Sequence, residues 1–217
     1  MAAWQVTWQL QLSTMLKVPT EAKLCFKPPI SKPLSGSMGH QLLPLLKKQG
    51  RTIDAMLPDG NCLFRSLSKS LFALSSGHLT LRKLLVDFIT SNSRILGGLC
   101  NGSLEEHCKQ MAKPGTFGTQ TELQAASSLL QVPVYIFQKP NDSREWEWMV
   151  YTPQSKTQLH IDACPGIATL QPPSTFDIEL LYHAAHFDVI TSSDPTAMLP
   201  FPRLPRANNS DFIDLSS

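Results

Sequence analysis

No apolar run in the 217 residues approaches the ~20 needed to cross a bilayer, so a membrane partner is not expected. The opening stretch, MAAWQVTWQLQLSTMLKVPTEAK, lacks a basic segment ahead of a continuous apolar one. That pattern does not match a secretory leader, and the expected location is cytoplasmic, with the nucleus as the alternative. Charge of one sign is scarce too: 19 Lys and Arg face 17 Asp and Glu, a net charge of +2, with the basic residues dispersed. Such a balance builds no phosphate-binding surface, so no nucleic-acid partner is expected. The five cysteines are odd in number and irregular in spacing, which excludes a disulfide framework and fits thiols in a reducing compartment. Internal repeats are absent, nothing points to an oligomer, and a monomer is expected.

What is present suits one compact domain with extensions, since 42% of the residues are apolar. KPPISKPLSGSMGH interrupts every apolar period, so residues 1–40 read as a largely disordered N-terminal extension. Residues 193–217 scatter prolines among isolated apolar residues and read as a disordered tail, with SDFIDLSS as a candidate partner motif. Residues 41–192 are left as the domain. QLLPLLKK is either its first helix, interrupted by Pro44, or part of a rim. Apolar residues at helical spacing run through Leu63, Leu67, Leu71 and Leu74, and again through Leu81, Leu84, Leu85, Phe88 and Ile89. Ser103 with Glu106, and Thr119 with Glu122, carry the capping-box signature of two further helices. VPVYIF, EWEWMVYT, IELLYH and HFDVI have the composition and alternation of strands. Helices first and strands mostly after predict an α+β fold, with a small, largely antiparallel sheet flanked by helices.

The chemistry is concentrated at the two ends of this domain. Asp59, Gly60 and Asn61 mark a turn, and Cys62 opens the helix that follows. A helix N-terminus stabilises a thiolate through its unpaired N–H groups and macrodipole. Gly60, free to adopt positive φ, can turn the amides of the loop toward a developing oxyanion, and Asp59 can brace that loop. A cysteine in the first turn of an amphipathic helix is more often a small buried hydrophobe than a nucleophile. A second site changes that reading. In His186-Phe187-Asp188, period-two alternation puts the imidazole and the carboxylate on one face of a strand, as a base and the group that orients it.

PDGNCLFRSLS, HLTLRKLLVDFITSN, TFGTQTELQAASSLLQVPVYIF and HAAHFDVI occur in the order and spacing of the ovarian-tumour (OTU) family of deubiquitinating cysteine proteases, which the chain resembles from Leu45 to Ile190. The resemblance implies a papain-type cysteine protease fold and a thiol-dependent hydrolase that cleaves after the C-terminal glycine of ubiquitin. It implies ubiquitin or polyubiquitin chains as partners and no cofactor or metal. By position, Cys62 matches the nucleophile, His186 the general base, Asp188 the residue that orients it, and Asp59 a position tied to oxyanion-loop geometry. Gly60 and Asn61 complete that loop. The family often has Trp-Gly-Gly where this chain has Phe117, Gly118 and Thr119, so the substrate groove is expected to differ there. The alternative function is a catalytically silent ubiquitin-binding or adaptor module.

Three other features have ordinary readings. His183 rivals His186 as a base but has no acidic residue two places on. His107, Cys108 and Cys100 lack a fourth ligand and the paired spacing of a zinc site. Trp146 and Trp148 face one side of a strand and read as cross-strand packing.

Overall fold

Alternating apolar residues in the second half of the chain become a five-stranded sheet. The computed structural model describes residues 3–18, 37–140, 145–160, 170–174 and 176–194. Strands β1 (Arg51–Asp54), β2 (Val134–Gln138), β3 (Glu147–Tyr151), β4 (Ile178–His183) and β5 (His186–Ser192) lie in the order β1-β5-β4-β2-β3. Three pairings are antiparallel and one, β2 with β4, is parallel, so the sheet is mixed but largely antiparallel.

Period-two alternation sorts the side chains between two cores. Val134, Ile136, Ile178, Leu180, Phe187 and Val189 join the larger core with helices α3 (Cys62–Phe72), α4 (His78–Ser91), α6 (Leu104–Met111) and α7 (Gln120–Leu130). Phe137, Leu181 and Ile190 face the other way and pack with Leu42 and Leu46 of α2 (Ser37–Lys48). QLLPLLKK is thus a sheet-covering helix that runs through Pro44. Trp148 stacks on Phe137 across the β2–β3 ladder at 4.9 Å between centroids, the packing role read from the sequence. A short helix, α5 (Ser93–Leu96), follows α4.

The two capping signatures differ in execution. At Thr119, Oγ1 accepts from Thr121 N–H at 3.2 Å and the backbone N–H donates to Glu122 Oε2 at 2.7 Å. Ser103 Oγ accepts from Glu106 N–H at 3.5 Å, but the Glu106 carboxylate accepts from Gln110 instead of reaching back.

The N-terminal extension departs from expectation. Ala3–Met15 forms helix α1, and Trp8 and Leu12 are buried in the larger core, with the Trp8 ring 5.0 Å from Phe176. A mean apolar character without strong periodicity hid this helix from the sequence. Residues 19–36 and the tail from 195 onward, including SDFIDLSS, lie outside the described residues.

Candidate active site

Cys62 is buried at the first position of α3, where backbone N–H groups have no acceptor within the helix. The turn before it is built as its residues predict. Gly60 has φ +74°, and a Cβ there would lie 1.8 Å from the carbonyl oxygen of Gly115, so both conformation and contact require glycine. Asp59 Oδ1 accepts from Asn61 N–H at 3.0 Å, and its carboxylate pairs with Arg65 at 2.6 Å. The Arg65 guanidinium holds the Asp59 carboxyl well below the usual range. Asp59 therefore braces the loop, as one of the two readings of its position allowed, and is a positioning residue. The Asn61 amide donates to Asp59, and the Cys62 N–H is among the first-turn amides that have no acceptor within the helix, whose first bond runs from Arg65 N–H to Asn61 O.

The sequence did not reveal what anchors this loop. Arg82 is fully buried, and its Nη2 donates to Gly60 O at 3.1 Å, Asn61 Oδ1 at 2.9 Å and Thr116 O at 2.8 Å, while Nη1 donates to Met111 O at 2.9 Å. Its guanidinium lies 3.9 Å from the Phe64 ring centre. Asn61 Oδ1 also accepts from Gly115 N–H at 2.9 Å. Asn61, expected in the oxyanion loop, stands in it and uses its side chain to tie the loop to residues 115–116. A signal existed: Arg82 stands three and seven residues before the buried Leu85 and Ile89, which places it on the buried face of α4.

The second half of the site comes from the β4–β5 hairpin. His186 Nε2 donates to Asp188 Oδ1 at 3.0 Å, and Met56 N–H donates to the same oxygen at 2.7 Å. His186 Nδ1 is buried without a hydrogen-bond partner among the described residues, and the imidazole also interacts with the Cys62 thiol. Hydrogen bonding to Asp188, reinforced by Cys62, pushes the imidazole up to about 10 against the opposing effect of burial. Burial pushes the thiol up, but His186 and the backbone of Phe187 outweigh it, so Cys62 titrates below its ordinary value. Burial likewise opposes ionisation of Asp188, yet donors from His183, His186 and Met56 hold it at about 2. The set can store a thiolate beside an imidazolium, with a carboxylate fixing the ring.

The family model described as OTU-like cysteine protease matches residues 57–164, which includes the Cys62 loop and ends before His186. The chain belongs to the OTU family. Among relatives, it is 33% identical over 101 residues to a putative ubiquitin thioesterase of Invertebrate iridescent virus 3, covering 41% of this chain and 12% of that protein. It is 29% identical over 104 residues to an ovarian tumor domain-containing deubiquitinating enzyme of Arabidopsis thaliana, covering 48% of this chain and 30% of the relative. The chain therefore spans well under half the length of these relatives. The solved OTU domain of OTUD1 superposes with a TM-score of 0.56 at 22% identity, over 70% of this chain and 93% of that one, and shows the shared fold.

Against the OTU pattern, the remaining candidates fall as follows. His183 is not an idle rival: its Nε2 donates to Asp188 Oδ2 at 3.1 Å. His107 of α6 bonds Glu122 of α7 at 2.7 Å, Cys108 is buried in the larger core, and Cys100 contacts Thr121, so each of these groups has a structural partner. Phe117 is more than half exposed, and Gly118 sits where a Cβ would lie 2.3 Å from Leu63. The departure from Trp-Gly-Gly thus keeps an exposed aromatic and the one glycine that packing demands.

Proposed function

We propose that this chain is a deubiquitinase, hydrolysing the isopeptide bond after the C-terminal glycine of ubiquitin through Cys62, His186 and Asp188. The observation that carries the reading is the meeting of Cys62, at the head of α3, with the His186–Asp188 pair of β5. The printed activities of the relatives supply the substrate class.

In this mechanism His186 Nδ1 takes the thiol proton, and the thiolate attacks the glycine carbonyl. The Cys62 N–H, at the head of the helix, steadies the oxyanion. As the C–N bond breaks, the imidazolium gives its proton to the leaving lysine amine. Water, deprotonated by the same imidazole, then attacks the thioester, releasing the glycine carboxylate and restoring the thiol. Asp188 keeps the ring in the tautomer with its proton on Nε2. The steps use only protein groups and water.

The test is reaction of the purified chain with ubiquitin bearing a C-terminal thiol-reactive group, read as a mass shift. The wild type is expected to form one covalent adduct, Cys62→Ala none, and His186→Ala far less. A folded wild type that forms no adduct overturns the reading, and retention of ubiquitin without an adduct would make it a silent binding module.

A further inference from the structure

We propose that His183 is a positioning residue of this site, acting on His186 through Asp188. The inference rests on the reading of Cys62 and His186 as the nucleophile and base.

The placement follows from hairpin register. His183 and His186 are the last cross-strand pair of β4 and β5, and the two-residue connection is Ala184-Ala185. Both alanines have positive φ, 46° and 61°, the backbone that a tight hairpin of this length requires. Along β4, position 183 shares a face with Leu181, and along β5, positions 186 and 188 share a face with Ile190. Leu181 and Ile190 both pack toward α2. The two imidazoles and the carboxylate therefore emerge on one side of the sheet, with the rings edge to face at 5.6 Å.

Asp188 is buried, so each of its oxygens needs donors. Oδ1 takes Met56 N–H and His186 Nε2, and both bonds leave the carboxylate free to pivot about that oxygen. The bond from His183 Nε2 to Oδ2 removes the pivot and fixes the plane in which His186 is held. A histidine at the end of a hairpin would ordinarily be a solvated surface group, but the His183 side chain is 14% exposed, as sheltered as His186 at 16%. Among the described residues, the ionisable groups facing it are Asp188 and His186 from β5, with Cys62 of α3 on the far side of His186. A His183 that donates its Nε2–H to Asp188 Oδ2 suits the role. Glutamine, which also carries an Nε2 donor, is the conservative replacement.

The test follows iodoacetamide alkylation of Cys62 across pH, located by peptide mapping, in the wild type, His183→Ala and His183→Gln. Alkylation requires no ubiquitin, so it stands apart from the proposed substrate. A hydrogen bond to a charged group justifies an expected slowing of about tenfold at neutral pH in His183→Ala. Losing a donor also raises the pKa of Asp188, so the acid limb should move to higher pH, and His183→Gln should restore most of both. With a ubiquitin C-terminal amide substrate, the loss should fall on kcat and leave KM unchanged. Wild-type alkylation profiles in both variants overturn the proposal, as does equal impairment of Ala and Gln that tracks a drop in melting temperature. A shifted alkylation profile rescued by Gln, in a chain that does not cleave ubiquitin, would support His183 and refute the deubiquitinase reading.

Discussion

The two loops that build this site are held in opposite ways. The Cys62 loop is locked from beneath: Arg82 collects carbonyls from three segments, Gly60 touches Gly115, and Asp59 pairs with Arg65. The His186 loop is a bare hairpin turn of two alanines with positive φ, held from its side by the carboxylate of Asp188. In the first case buried polar bonds to backbone fix the geometry. In the second, strand register does so, at the cost of two residues in a conformation unfavourable by roughly 1 kcal/mol or more each. A nucleophile whose amide must meet an oxyanion needs a fixed backbone, whereas a base needs only a ring held at the right angle.

The largest way to break this contrast is Gly60→Ala. Its Cβ would overlap a backbone carbonyl that cannot move without carrying residues 115–116 along. We expect a loss of about 3 kcal/mol or more in chemical denaturation, together with loss of Cys62 reactivity. Next is Arg82→Met, which fits the apolar surroundings but leaves the oxygens of Gly60, Met111 and Thr116 without this donor. About 2–4 kcal/mol of destabilisation is expected, with adduct formation slowed even in the folded fraction. Arg82→Lys should retain charge but recover only part of either, because an ammonium lacks the fork.

The hairpin should respond in the opposite direction. Ala184→Asn with Ala185→Gly introduces the residues that tolerate positive φ, and a gain of roughly 1 kcal/mol is expected in thermal or chemical unfolding. If the double variant is instead less stable, the turn is not strained and the contrast fails.

The pH dependence of stability probes the same hairpin, and its sign is fixed by the shifts. His186, raised from 6.5 to about 10, contributes fully below 6.5, and this is lost as pH rises through 10. Asp188, lowered from 3.8 to about 2, contributes above 3.8, and this is lost as pH falls through 2. Melting temperature measured from pH 3 to 10 should therefore fall on the alkaline side in the wild type, and His186→Ala should flatten that limb.

Much of this was legible in the chain. Cys62 at a helix start, Gly60 in a positive-φ turn, and His186 with Asp188 two positions apart are local patterns, and local patterns survive folding. Asn61 and His183 were harder because their contacts form only on folding: Asn61 bonds to Arg82 and Gly115, far along the chain, and His183 reaches Asp188, five residues on, only after the hairpin closes. Helix α1 was missed because its buried apolar residues Trp8 and Leu12 are anchored by a core assembled from residues far downstream.

The sequence by itself determined most of the elements, the family resemblance and the candidate reactive groups, since periodicity, turn chemistry and a four-residue motif act over short range. Only the tertiary structure decided that a buried arginine pins one loop, that a second histidine joins the carboxylate of the other, and that the first helix belongs to the core. Each of these depends on groups brought together by packing, and no spacing along the chain encodes that distance.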